Sequence, residues 1–291
     1  MAKARALDKR RKSVANIRKI TRTMELVATA QFRRAMERAV AVGGYAERLA
    51  RMVADLSNAS VANDNPYLKE RSSRNCAALF VLTANRGMCG GYNSGVLRAA
   101  LARLDELKRE FGNVELYVSG KRGLSYLKYR GVAITASYDQ FDHKPAFEDV
   151  LPLANDCLER YRAGQIDRVD VVYSKFFSLS KQSPTVDSLL PFTRVDEATS
   201  DDVRSQTEYE FLPSPESVLE EVVPNAFRVN LFKRFLDAAV GEQIARMMAM
   251  KAATDNADAM ISSLTTSYNR ARQSQITNEI IEVISGASAL Q

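Results

Sequence analysis

The sequence predicts an α/β protein in which a long antiparallel coiled coil of N- and C-terminal helices brackets an inserted Rossmann-like α/β domain. Three observations lead there. From Met247 the apolar or small side chains Met247, Met250, Thr254, Ala257, Ile261, Leu264, Tyr268 and Ala271 recur at spacings of 3 and 4, which is a coiled-coil seam. From about Ala4 to Ser57 there is no proline, and no glycine except Gly43-Gly44, which calls for one long helix. Between the two, apolar strand-like runs alternate with helical ones, the grammar of a three-layer α/β domain.

In the first helix Ile17, Ile20, Met24 and Val27 form a seam, and Val42, Tyr45, Leu49, Met52 and Leu56 a second. The positions between them, Gln31, Arg34 and Arg38, are polar, so the helix is expected to change partner or face water there. At 1.5 Å per residue such a helix makes a rod of roughly 80 Å, longer than a compact domain of this mass needs. It requires a long partner, and the C-terminal helix is the candidate. Residues 1–57 are therefore read as the N-terminal coiled-coil helix and residues 58–75, with Asn63-Asp-Asn-Pro66, as a linker.

Residues 76–192 carry the inserted domain. Cys76–Leu82 is continuously apolar, as in a strand buried on both faces of a parallel sheet. A helix from about Ser94, a strand Val114–Val118, a short helix Arg122–Arg130 stopped at Gly131 and a strand Val132–Ser137 follow. A helix marked by Phe147, Val150, Leu151, Ala154, Cys157, Leu158 and Tyr161 then leads to strands Asp167–Phe176 and Thr185–Phe192. No crossover helix separates those two strands, so they are expected to be antiparallel. Residues 193–213 read as a mobile acidic loop and a foot, and residues 214–291 as the C-terminal coiled-coil helix. Ser214 and Pro215 suit its N-cap and first turn. Pro224 is expected to kink or restart it near Val223, whereas Gly241 is tolerated at a cost of about 1 kcal/mol.

Composition excludes several functions. With 46% hydrophobic residues over 291 positions the chain can bury a core. Its longest apolar run is too short to span a bilayer, no secretory signal is visible, and Met1 reads as the mature start. Cys76, Cys89 and Cys157 are scattered and His143 is the single histidine, so neither a disulfide framework, a metal site nor Cys/His catalysis has material. Residues 1–38 hold 12 Lys or Arg against Asp8, Glu25 and Glu37, a local +9, whereas the whole chain is +6. A basic field confined to one segment fits a solvated face or an acidic protein partner better than a nucleic-acid arm, because no aromatics interleave it.

Arg86-Gly-Met-Cys-Gly-Gly-Tyr-Asn93 stands after the first strand, where a dinucleotide fold places its phosphate loop. The glycines do not give Gly-x-Gly-x-x-Gly, there is no Walker lysine, and Tyr92 is bulky where a pyrophosphate would approach. The alternative is that the glycines turn the strand tightly against the coiled coil. A nucleotide-binding enzyme with helical arms and a coiled-coil scaffold with a nucleic-acid arm are the two rival readings of these residues.

Four stretches carry a family resemblance. Met247-Met-Ala-Met-Lys-Ala-Ala-Thr-Asp-Asn256, Ile276-Thr-Asn-Glu-Ile-Ile-Glu-Val-Ile-Ser-Gly-Ala-Ser-Ala289, Lys19-Ile-Thr-Arg-Thr-Met-Glu-Leu-Val-Ala28 and the glycine-rich Arg86–Asn93 segment resemble the gamma subunits of F-type rotary ATP synthases, over essentially the whole chain. The resemblance implies a central rotor shaft that couples ion flow through a membrane ring to ATP synthesis or hydrolysis in an alpha/beta hexamer, with no cofactor or catalytic site of its own. It implies contacts with the hexamer at Arg22, Met24, Arg33, Arg246, Arg272, Gln273, Thr277, Ile276, Ile280 and Ile284. Tyr209, Glu210 and Phe211 would form the foot on the membrane c-ring and the epsilon subunit, with delta completing the partner set. The implied location is the cytoplasmic face of a bacterial inner membrane, peripheral. Leu212, where many members carry an acid, and Pro224 depart from the pattern, and the plant-type cysteine-pair insert is absent.

Overall fold

The computed structural model describes residues 2–58, 66–68, 71, 73–141, 144–179, 181–192 and 215–288. His143, Leu56's side chain, the acidic loop and the foot residues Tyr209, Glu210, Phe211 and Leu212 lie outside what it describes. The chain divides into two compact units, one of residues Met1–Thr29 with Arg246–Gln291 and one of Ala30–Ala245.

In the larger unit, five strands form one sheet in the order β3-β2-β1-β4-β5. They are β1 (Cys76–Leu82), β2 (Asn113–Ser119), β3 (Ala136–Tyr138), β4 (Arg168–Ser178) and β5 (Lys181–Leu190). β1 runs parallel to β2 and β4, and β2 to β3; β5 returns antiparallel beside β4, as the missing crossover requires. Alternate residues of β1 serve two cores. Ala77, Leu79 and Val81 pack under helix α2 (Tyr92–Glu110), and Ala78, Phe80 and Leu82 pack under α4 (Phe147–Arg162) and the long helices. The third strand is shorter than Val132–Ser137, because the Thr135 hydroxyl accepts the Leu116 N–H at 3.1 Å in place of a backbone carbonyl. Val132 and Ile134 instead pack, partly buried, on the α2 side.

The terminal helices are single runs, α1 over Ala2–Asn58 and α5 over Pro215–Ser288. Pro224 neither ends nor restarts α5. Leu219, Val223, Ala226 and Phe227 around it are all buried, and the apolar burial of four such side chains outweighs the roughly 3 kcal/mol a proline costs inside a helix.

The seam of α1 is not the one expected. Ile17, Ile20 and Val27 are 50–55% exposed, Met24 is half-buried, and in the second set Tyr45 and Met52 point outward. The inward residues are small: Thr21, Ala28, Ala35, Ala39, Ala46, with Leu49 and Val53 at the far end. They fall on two heptad rows, and Ala35 and Ala39 carry the seam past Gln31, Arg34 and Arg38 without a polar break. Small seam residues let two helices approach closely, and the larger β-branched side chains are displaced to the outside.

α5 meets the sheet at Gly241. A Cβ there would stand 2.8 Å from the Ser174 carbonyl oxygen and 3.3 Å from its side chain. Gly120, with φ of +97°, permits a similar approach: a Cβ would lie 2.1 Å from the Thr83 oxygen. On the face of the sheet that α4 covers, Arg160 donates to Glu115 at 2.6 Å and to the Tyr117 hydroxyl at 2.7 Å, while Tyr117 donates to the other Glu115 oxygen at 2.6 Å. The Arg160 bond holds the Glu115 carboxyl below its usual value, and burial pushes Tyr117 up.

Three outcomes follow from these packings, each read by urea unfolding of the full chain. Gly241→Ala improves helix propensity yet destabilises by about 1–3 kcal/mol, because the new methyl meets backbone, whereas Gly44→Ala, where a Cβ meets nothing within 4 Å, stabilises by about 0.5–1 kcal/mol. Equal signs for the two would contradict the Ser174 contact. Glu115→Gln costs about 1–3 kcal/mol near neutral pH. A depressed folded value means that stability is present above the unfolded carboxyl value and lost as pH falls through the folded one, so the gap between wild type and variant closes in acid.

Candidate partner-binding surface

In the smaller unit the two helices run antiparallel, since Thr21 meets Thr254, Arg18 meets Asp258 and Arg11 meets Tyr268. Met250, Thr254 and Ala257 are buried, and Met247, Ile261, Leu264, Tyr268 and Ala271 are half-buried, so the α5 seam is the one its spacing predicts. At its centre the Thr254 and Thr21 hydroxyls lie 2.9 Å apart, with Met250 O and Arg18 O at 2.9 and 3.1 Å. Each hydroxyl has one proton, so the chain is polarised in one direction at a time, and either direction satisfies both groups. The Arg11 guanidinium lies over the Tyr268 ring, 5.2 Å from its centre, and also pairs with Asp8 at 2.7 Å.

Beyond the pairing with the first turns of α1, α5 continues. Ile276, Ile280, Ile281, Val283 and Ile284 are 45–72% exposed and spread over more than one side of the helix. From Ile276 to Ser288 this is about 20 Å of helix at 1.5 Å per residue. Arg272 and Gln273 are exposed at its base, and the Thr277 hydroxyl donates back to Gln273 O at 3.0 Å. Arg246 is half-buried at the other end of the unit. On α1, exposed Arg22 chelates Glu25 at 2.9 Å from both oxygens, close to half-buried Met24 and the outward Ile17, Ile20 and Val27. Thus nine of the ten expected contact positions fall in this unit, and Arg33, exposed, falls in the other. The Ile/Val stripe expected to form the seam faces outward, and the alanines in heptad register with Thr21 mark the face that packs inward.

The glycine-rich turn is occupied from within. Tyr92 donates from its hydroxyl toward Leu82 O and Ala238 O, both at 3.2 Å, tying the turn to α5. Asn93 accepts the Ala84 N–H at 2.9 Å. The space left between Leu82, Thr83, Tyr92, Ser119, Phe235 and Ala238 is about 20 Å³, room for one water. A larger open groove of about 450 Å³ beside α2 is lined by Arg103 and Arg168, whose guanidiniums already bind Asp170 at 2.8 and 3.1 Å. All three cysteines are buried, and burial pushes Cys157 up to about 12 and raises Cys76.

A family model described as ATP synthase matches residues 3–290. The ATP synthase gamma chain of Rhodopirellula baltica is 52% identical over 295 residues, covering all of both chains, and that of Gemmatimonas aurantiaca is 36% identical, again over the whole of both. The chain belongs to the ATP synthase gamma chain family. As a gamma chain it is the central stalk of a rotary F-type enzyme. The gamma-chain fold extends to distant solved structures. A chain of the Euglena gracilis mitochondrial ATP synthase, in an OSCP/F1/c-ring assembly in rotational state 3, superposes with a TM-score of 0.66 at 16% identity, over 99% of this chain and 95% of that one. A chain from the central stalk/c-ring of the Tetrahymena thermophila mitochondrial enzyme gives 0.58 at 19% identity, over 80% and 99%. Among the described residues no helix is long and apolar enough to cross a membrane.

Burial of the thiols has a direct readout: at pH 8 a neutral thiol reagent leaves Cys76, Cys89 and Cys157 of the native gamma chain unmodified over minutes and titrates all three once urea is added. Rapid labelling of Cys89 in the native state would show the glycine-rich turn to be open.

Proposed function

We propose that this gamma chain is the turning shaft between an ion-driven c-ring and the three catalytic sites of an alpha/beta hexamer, and that it catalyses nothing itself. The observation that carries the reading is the C-terminal helix from Ile276 onward, apolar on several sides and exposed. A surface of that kind is stable in water only inside a surrounding apolar wall, and a ring of subunits supplies one. Ile276, Ile280 and Ile284 turn in that sleeve. Arg246, Arg272, Gln273 and Thr277 offer hydrogen bonds that form and break as the hexamer's three faces pass, and Arg22, Met24 and Arg33 meet acidic loops of the catalytic subunits. An asymmetric shaft binds each beta subunit differently and so biases its open and closed states. Tyr209, Glu210 and Phe211 form the foot on the c-ring and epsilon, with delta also in the complex. The shaft operates on the cytoplasmic side of a bacterial inner membrane, peripheral, held through its partners.

Purified alpha and beta subunits, mixed with and without this chain, provide the test. A stable hexamer with strong ATPase activity is expected only with the chain present, and Ile276→Ser/Ile280→Ser/Ile284→Ser is expected to weaken assembly at least tenfold. Full assembly without the chain, or indifference to the triple variant, would overturn the sleeve. In membranes Met24→Lys lowers ion pumping per ATP hydrolysed while leaving the unfolding free energy within about 0.5 kcal/mol of wild type; unchanged coupling would remove Met24 from the contact.

A further inference from the structure

The tip of the β4–β5 hairpin brings exposed apolar and basic side chains together. Strand β4 runs well past its pairing with β1, which ends at Val172, and continues with β5 as a two-stranded ribbon to Ser178. The turn is fixed by its own side chains: the Ser178 hydroxyl accepts the Lys181 N–H at 3.1 Å, and the Gln182 amide donates to Ser178 O and Leu179 O at 3.0 and 2.9 Å. Beside these bonds the chain spends two large apolar side chains on solvent, Phe177 at 53% and Leu179 at 56% exposure. Lys175 and Lys181, one from each strand, hold their ammonium groups 5.6 Å from the Phe177 ring centre. Phe176, the next residue, packs on Phe32 of α1 at 5.9 Å, so the tip lies against a helix flank on which Arg33 and Arg34 are both exposed.

We infer that this tip docks an acidic segment of a protein partner, an apolar side chain of which covers Phe177 and Leu179 while its carboxylates meet Lys175 and Lys181. Charge complementarity selects that occupant. No acidic residue occurs between Asp170 and Asp187 on the hairpin, nor between Glu25 and Glu37 on the facing helix; the acidic group of α5 that feels Lys175, Asp237, is mostly buried and paired with Lys233 and Arg234 at 3.9 and 3.6 Å, so the charge the tip presents to solvent is positive. Two ammonium groups sharing one ring repel each other, and a carboxylate brought to that ring relieves both. A lipid surface would reach a projecting tip, but this one is set beside a helix, where a chain segment fits. Apart from Arg33, none of the residues is among the hexamer contacts proposed above, so failure here leaves the shaft reading untouched.

The test uses the assembled, membrane-bound enzyme with p-benzoylphenylalanine replacing Phe177. Irradiation is expected to give a protein adduct whose cross-linked peptide carries at least two more acidic than basic residues within ten positions of the link. Adding Lys175→Glu and Lys181→Glu is expected to cut the yield at least fivefold, with assembly and ATPase activity retained. An adduct to lipid, an adduct to a neutral or basic peptide, no adduct, or a yield indifferent to the charge reversals would each overturn it. Unchanged thermal unfolding of the Lys175→Glu/Lys181→Glu chain shows that lost yield is lost recognition rather than a lost hairpin.

Discussion

The larger unit depends on one close approach. Where α5 crosses β4 there is no room for a methyl group at Gly241, and this sets how deep the helix lies on the sheet. At that depth the Ala238 carbonyl comes within reach of the Tyr92 hydroxyl, and Phe235 and Ala238 close the crevice at the carboxyl ends of β1 and β2. In an open α/β sheet that crevice is where ligands are received. Here a helix of the same chain fills it. The fold therefore keeps the strand order of a nucleotide binder while using its binding edge as a mounting for a long helix.

The smaller unit follows a different rule. The fully buried seam positions of its helices are Thr, Ala and Met, with Ile261 and Leu264 only half-buried, and the polar atoms that this brings inside are paired with each other at Thr21 and Thr254. Such a seam buries less apolar area than a leucine seam, but it leaves the larger side chains for the outside. Ile17, Ile20, Val27 and the Ile276–Ile284 stretch are accordingly exposed in the chain alone. Their exposure is a cost accepted by a protein that works inside an assembly.

Much of this was legible in the sequence, and the failures share a cause. The α5 seam could be read because its seam residues differ in hydropathy from their flanks, and the strand order followed from alternation and a missing crossover. α1 defeats a rule that places the most apolar residues inward, because over residues 17–39 its inner rows are alanine and threonine and its outer stripe is isoleucine and valine. Pro224 was expected to interrupt α5 from its local cost, which tertiary burial around Val223 and Phe227 exceeds. β3 was drawn too long because a threonine hydroxyl, invisible to periodicity, took over a ladder hydrogen bond. Of the candidate contacts, the isoleucines near the C-terminus announced themselves by being apolar on several sides; the polar catches carry no such pattern, and only the family resemblance points to them.

Among the described residues, one ion pair joins the two helices of the smaller unit, Arg18 with Asp258 at 3.2 Å, and both side chains are about half exposed. Arg11 adds a ring contact on Tyr268, and the buried contacts at the centre of the junction, Met250, Ala257 and the Thr21–Thr254 pair, are apolar or neutral hydroxyls. Mobile ions at physiological strength screen exposed charges beyond roughly 8 Å, and they act weakly on buried contacts of the latter kind. The rod's internal cohesion and its long-range attraction for acidic surfaces thus respond to different variables. Raising ionic strength would strip away the electrostatic steering supplied by the twelve basic residues of the first 38 while leaving the helix pair itself intact.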